Sequence, residues 1–194
     1  GGDCEYRPGS RIDITKPGIE HSYIWIAYPG IDRGHELSAP GKVLSCILGA
    51  GMDSRLFSEV RENRGLAYSI GSSMSQWQTA SMFSVESSSR SANIESIIDV
   101  STGELNKLVN NLVAEEEVER AKNKIRSSFY STLESSYGVA SYELRRSLFS
   151  LDSIDQLMSD IASVSRSDIL SAANYLFKDK EPHILTCGPV VESP

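Results

Sequence analysis

Alternation of hydrophobic and polar positions predicts five strands, four in the first half of the chain and one near its end. They cover residues 11–16, 21–28, 68–74, 82–88 and 184–187. In the first of these, Ile12 and Ile14 share one side. The second is β-branched or aromatic on both sides, which favours a strand buried on both faces. The third and fourth, joined through the polar residues 75–78, predict an antiparallel hairpin.

Hydrophobic residues spaced three and four apart predict helices elsewhere. They cover residues 37–48, 54–63, 94–112, 115–135, 142–149, 154–161 and 168–177. The strongest signal is at 115–135, where three glutamates stand at the positively polarised start of the helix. Ser165 and Asp168 have the spacing of a capping box before the last helix. This order differs from regular strand–helix alternation and predicts a single α+β domain over residues 1–194, with a mainly antiparallel sheet covered by helices.

Composition and charge narrow the possible functions. The chain has 194 residues, of which 40% are hydrophobic, values that suit one globular domain. Its formal net charge of −7 disfavours nucleic acid as a partner. No apolar run approaches 18 residues, so no membrane span is predicted. The three cysteines, Cys4, Cys46 and Cys187, form no Cys-x-x-Cys pair, and the last two lie in apolar stretches typical of core residues.

A catalytic zinc site needs three protein ligands, and the chain offers few candidates. Its histidines are His21, His35 and His183. His35 begins a His-Glu-x-x-His pattern, but Ala39 stands where the second histidine belongs. The inverted pattern ending at His21 fails as well, because its first position is Pro17. We therefore predict that this chain alone builds no metal site.

The most distinctive segment, residues 48–69, combines a glycine turn, a short helix, a glycine exit and the start of a strand. Gly49, Gly51 and Gly65 are interpreted as structural. Arg61 leaves the helix end while Tyr68 starts the strand, so that both side chains could converge on one cleft. A guanidinium and a phenol there could donate hydrogen bonds to a peptide carbonyl or a developing oxyanion. The alternative is that Arg61 pairs with a nearby glutamate and Tyr68 belongs to the sheet core.

Within this segment, residues 51–68 have the form Gly-x-x-Ser-Arg-Leu-Phe-x-Glu-Val-Arg-x-x-Arg-Gly-Leu-Ala-Tyr. The string resembles the signature of the C-terminal, non-zinc half-domain of the pitrilysin/insulinase family of inverzincin metallopeptidases. The branch it resembles is that of the mitochondrial processing peptidase, which includes many bacterial zinc proteases. Residues 115–124 are similar to a helix start typical of that half, and the resemblance covers nearly the whole chain.

The resemblance implies a specific role for the chain. Such enzymes enclose a chamber between two homologous α+β halves, and the N-terminal half carries the His-x-x-Glu-His zinc motif. That half is absent here, so we expect the chain to be the substrate-binding half of a zinc-dependent metalloendopeptidase, inactive alone. By the match, Arg61 binds the substrate backbone and Tyr68 helps to stabilise the tetrahedral intermediate. No cofactor is expected on this chain, and zinc is expected on the partner half.

The implied partners are a zinc-binding N-terminal half-domain, in the same chain or another subunit, a peptide substrate and a possible second copy of this chain. The alternative is a non-catalytic assembly subunit like the core proteins of respiratory complexes, but the retained Arg61 and Tyr68 argue against it. No nucleophile–base spacing supports a free-standing hydrolase of another kind. A soluble protein of the bacterial cytoplasm is expected, with the mitochondrial matrix as the alternative compartment.

Overall fold

One five-stranded sheet and six α-helices make up the described residues, 8–77, 80–149 and 151–189, of the computed structural model. The strands are β1 (Arg11–Thr15), β2 (Ser22–Pro29), β3 (Ala67–Gln76), β4 (Ser81–Ser89) and β5 (His183–Gly188). The α-helices are α1 (Ser38–Gly49), α2 (Ile94–Asn110), α3 (Glu115–Leu133), α4 (Ser136–Phe149), α5 (Ile154–Ser163) and α6 (Arg166–Phe177). A π-helix at Phe57–Glu62 and a 3-10 turn at Ser91–Asn93 complete the set.

The strand order in the sheet is β1-β5-β2-β4-β3. Only β1 and β5 pair in parallel, and the other three neighbouring pairs are antiparallel. β3 and β4 form the expected hairpin. The predicted α+β class with a mainly antiparallel sheet is therefore confirmed.

The burial of β2 differs from the sequence-based expectation. Ile24 and Ile26 are buried against the helices, whereas Tyr23 is 51% exposed and Trp25 is 44% exposed. The prediction of a strand buried on both faces was wrong, because the helices pack against one face of the sheet and leave these aromatic rings on the other. Ile12 and Ile14 are also exposed, and the strand register places them on the same outer face as the two rings.

Helix α1 lies at the centre of the helical layer and is buried along most of its length. It packs against α3, α6 and β3. The backbone approach to β3 is so close that a Cβ on Gly49 would lie 2.1 Å from the amide nitrogen of Ser72. Glycine at this position therefore permits the contact between α1 and the edge of the sheet.

Most predicted bounds agree with the structure within two residues. Helix α4 is the main exception, since it begins at Ser136, six residues before the predicted start. The Ser135 hydroxyl accepts a hydrogen bond from the Gly138 amide (2.9 Å) and supports this early first turn. The predicted helix over 54–63 is largely a π-helix. Cys4 and Gln78 lie outside the described residues. Cys46 is buried as expected of a core residue, whereas Cys187 is only partly buried, because it lies on the outer face of the sheet opposite Tyr23.

None of the helices in the described ranges has the length together with the apolar composition that a bilayer-spanning segment needs.

Candidate functional site

A tight turn joins the π-helix that carries Arg61 to the strand that carries Tyr68. The Gly65 amide donates to the Arg61 carbonyl (3.1 Å), and the Leu66 amide donates to the Val60 carbonyl (2.9 Å). Gly65 has a φ of +60°, a left-handed conformation that glycine adopts at little cost. These contacts fix the short path from the helix to the strand.

The π-helix places Arg61 on the surface. Val60 is fully buried and anchors the inner side, while Arg61 is exposed. The Arg61 guanidinium carbon lies 5.0 Å from the centroid of the Phe57 ring, a distance suited to a cation–π contact. π-helical turns are frequent at functional sites. Among the described residues, no side chain or carbonyl accepts a hydrogen bond from this guanidinium, so its donors remain available to a ligand.

The two neighbouring arginines of the segment are paired. Arg55 forms a two-point ion pair with Glu117, with Nε–Oε1 and Nη2–Oε2 distances of 2.7 and 2.8 Å. Arg64 binds the Glu59 carboxylate and also donates to the Glu59 carbonyl (2.7 Å). The sequence left open that Arg61 pairs with a nearby glutamate. Among the described residues, Arg61 forms no such pair.

Tyr68 occupies a β-bulge at the start of β3. Ala67 pairs with Ser89 and Ser69 pairs with Ser88, so Tyr68 is the extra residue between them. Its side chain is 48% exposed, and its ring centroid lies 4.6 Å from that of His21. Bulges redirect side chains and occur often beside active sites. Tyr68 is therefore a surface residue rather than part of the sheet core.

A groove of about 370 Å³ runs over the outer face of the sheet, starting at Ser69, the residue after Tyr68. The lining residues that lie on the outer face of the sheet are Tyr23, Trp25, Ser69, Gly71, Ser73, Glu86 and Ser88. Aromatic rings from β2 form one side, and hydroxyl groups from β3 and β4 form the other. No local sequence pattern indicates this groove, because its residues come together only through strand pairing.

A second, larger cavity of about 1120 Å³ lies on the helical side, at the start of α1 and beside α3, α4 and α5. Lys42 lines it, and burial lowers the pKa of this lysine. The sequence carried no motif that would indicate this cavity, and neither Arg61 nor Tyr68 lines it.

The histidines occupy three separate places. His21 contacts Tyr68, the His35 ring packs against Tyr175, and His183 begins β5. Within residues 8–77, 80–149 and 151–189, no three histidine, cysteine or acidic side chains are grouped so that they could hold a metal ion.

The chain has a sheet covered by helices on one face and a junction between helix and strand that is flanked by glycines. Both features fit the class predicted from residues 51–68, a metallopeptidase half-domain. The family model described as the peptidase M16 inactive domain matches residues 2–125. The chain therefore belongs to the M16 peptidase family, as an inactive domain. This confirms the family predicted from the sequence motifs.

Several known proteins are similar to the chain. An uncharacterized zinc protease of Streptomyces coelicolor is 28% identical over 187 residues, which are 95% of this chain and 40% of that relative. A protease from Helicobacter pylori has a TM-score of 0.84 at 25% identity, covering 94% of this chain and 44% of that one. A peptidase M16 inactive domain from Pseudomonas fluorescens has a TM-score of 0.85 at 23% identity, covering 100% of this chain and 47% of that one, and shows the fold alone. The chain spans less than half the length of each.

Proposed function

We propose that residues 1–194 form one domain, the substrate-binding half of a zinc-dependent metalloendopeptidase whose zinc site lies on a separate half. Arg61 and Tyr68 act on a peptide held at that site. The observation that carries the proposal is the exposure of both side chains at one tight junction, with the Arg61 donors unused by the described residues while Arg55 and Arg64 are paired.

Each side chain suits one task in peptide hydrolysis. The Arg61 guanidinium can donate to a carbonyl of the bound peptide and hold its backbone. The Tyr68 phenol can donate to the oxygen that becomes negatively charged as the carbonyl carbon turns tetrahedral. Zinc, when bound on the other half, supplies an activated water. The bulge at Tyr68 and the Gly65 turn fix the backbone from which the two side chains extend, which reduces the conformational freedom lost when substrate binds.

The same geometry favours one orientation of the partner half. If Arg61 and Tyr68 reach a substrate on that half, the outer face of the sheet is turned toward it. Ile12 and Ile14 are exposed on this face, and burying them would favour association. A zinc-binding half, in the same polypeptide or another subunit, is the partner we propose.

The test is complementation. We expect no zinc content or peptidase activity for this chain alone, and hydrolysis of unstructured peptides when it is mixed with the separately expressed zinc-binding half. Size-exclusion chromatography of the mixture should show the pair and distinguish it from a homodimer of this chain. Peptidase activity of this chain without the zinc-binding half would contradict the proposal, because the catalytic groups would then lie on this chain. Inactivity of a well-formed, zinc-loaded pair would favour the assembly-subunit alternative.

A further inference from the structure

Tyr68 makes its ring contact with a residue from a strand that does not pair with its own. Tyr68 lies on β3 and His21 directly precedes β2, and β4 runs between these two strands. The ring centroids of Tyr68 and His21 are 4.6 Å apart and the ring planes are tilted by 52°, which is within the range of favourable aromatic pairs. The contact therefore spans the end of β4 and directs the Tyr68 side chain toward β2.

The backbones that carry the two rings are anchored to one buried row of residues. The row crosses β2, β4 and β3 in register and consists of Ser22, Ser89 and Ala67. His21 precedes the first of these residues and Tyr68 follows the last. The Ser22 hydroxyl also forms a hydrogen bond with the Ser91 hydroxyl (2.8 Å). The main chain beside each ring is therefore held by the sheet, and only the two side chains are left to be oriented.

Ring packing is the interaction that orients the Tyr68 phenol. The Tyr68 side chain is about half exposed, and within the described parts of the chain neither ring has a hydrogen-bond partner. A half-exposed side chain without such contacts exchanges between rotamers. A hydroxyl that stabilises a transition state acts best when it is already in place, because ordering it during the reaction costs rate. The His21 ring supplies a surface against which the Tyr68 ring can be held.

We propose that His21 is a positioning residue for Tyr68, whose phenol it holds in the orientation that donates to the developing oxyanion. This role rests on the proposed function, since it adds to Tyr68 a residue from outside the segment 48–69. The imidazole acts through its ring face and needs no charge, so a phenyl ring at the same position should do the same. Removal of the ring should lower the fraction of Tyr68 side chains that point in the productive direction.

The test uses this chain assembled with its zinc-binding half and a fluorogenic peptide. His21 is exposed, so its variants should keep the fold, which circular dichroism verifies. We expect His21→Ala to lower kcat by about 3–10-fold, the population change that follows from losing one aromatic pair. KM should change less, because the phenol acts chiefly in the transition state. His21→Phe keeps an aromatic ring and should retain at least about half of the wild-type kcat.

A double-mutant cycle separates positioning from a general structural effect. In a Tyr68→Phe background, His21→Ala should cause no further loss of kcat, because the hydroxyl that the ring positions is already absent. His35→Ala is the matched control, since His35 packs against Tyr175 in a similar pair with centroids 4.8 Å apart and planes tilted by 50°. That pair lies away from Tyr68, and its loss should leave kcat unaltered.

The outcomes distinguish the role of His21 from the proposed function on which it rests. A wild-type kcat for His21→Ala, equal losses for the alanine and phenylalanine variants, or a full further loss in the Tyr68→Phe background would overturn the positioning role. Each of these results leaves the proposed function standing if Tyr68→Phe alone lowers kcat. A wild-type kcat for Tyr68→Phe, or absence of hydrolysis by the zinc-loaded pair, would overturn the role of Tyr68 and that of His21 together.

Discussion

The Arg55 guanidinium and the Glu117 carboxylate face each other through two parallel hydrogen bonds of 2.7 and 2.8 Å. This pair ties the segment leading into the π-helix to the first turn of α3. Glu117 Oε2 also accepts from the Ala114 amide (2.9 Å), so the same carboxylate caps α3. Both side chains are about one-fifth exposed, 21% for Arg55 and 19% for Glu117, so solvent screens the pair only partly. The position of the site segment thus depends on a contact with a helix far away in sequence.

Glu117→Gln tests how much this contact stabilises the fold. We expect the free energy of unfolding at pH 7 to fall by about 1–3 kcal/mol, because a charge-assisted two-point pair and part of a helix cap are weakened. Urea denaturation followed by circular dichroism measures the change. The side chain of the neighbouring Glu116 is 90% exposed, and its Oε2 lies 3.9 Å from Arg120 Nη1. Glu116→Gln should therefore change the free energy of unfolding by less than about 0.5 kcal/mol. Equal losses in the two variants would contradict the special role of Glu117.

The same pair predicts a pH dependence. The hydrogen bonds from Arg55 hold the pKa of Glu117 below its ordinary value of 4.5, although burial acts in the opposite direction. A carboxyl whose pKa is lower in the folded state stabilises the fold above its unfolded pKa, and that stability is lost as the pH falls through the folded pKa. The difference in unfolding free energy between wild type and Glu117→Gln should therefore be full at pH 7 and shrink below about pH 4.5. A difference that stayed constant down to pH 3 would show that charge is not its source.

Gly49 provides a test of the contact between α1 and β3. A methyl group there would lie 2.1 Å from the Ser72 nitrogen and 2.5 Å from its hydroxyl oxygen, so helix or strand must move. We expect Gly49→Ala to lower the free energy of unfolding by about 1–3 kcal/mol, as overpacking does. Gly103 lies inside α2, and a Cβ added there would meet no atom within 4 Å beyond the adjacent backbone of its own helix. Gly103→Ala should therefore raise the free energy of unfolding by about 0.5–1 kcal/mol. Thermal melts of both variants should shift in opposite directions, and a shift in the same direction would count against this packing argument.

Local sequence patterns predicted most of the helices and strands, because each of these elements depends on residues close together in the chain. The hydrophobic spacing and acidic start of α3, for example, appear within one segment. The glycine and periodicity pattern of residues 48–69 likewise placed Arg61 at a helix end and Tyr68 at a strand start, where the structure has them.

Relations across the fold could not be predicted in the same way. The bulge at Tyr68 depends on pairing with Ser88 and Ser89, about twenty residues later in the chain. The exposure of Tyr23 and Trp25 depends on which face the helices cover, since aromatic residues suit strands whether their side chains are buried or exposed. Glu86 joins the groove only through its partners on β2 and β3.

Tyr68→Phe in the assembled enzyme isolates the phenol hydroxyl from the rest of the side chain. The phenyl ring can keep its contact with His21, so the free energy of unfolding should change little. Loss of the proposed hydrogen bond to the developing oxyanion should lower kcat by about 10–1000-fold while KM changes less, because such a bond is made chiefly in the transition state. Tyr137→Phe removes the same hydroxyl from an 83%-exposed tyrosine on α4 and should leave kcat unaltered. A Tyr68→Phe enzyme with wild-type kcat would remove Tyr68 from the mechanism and leave Arg61 as the contribution of this chain.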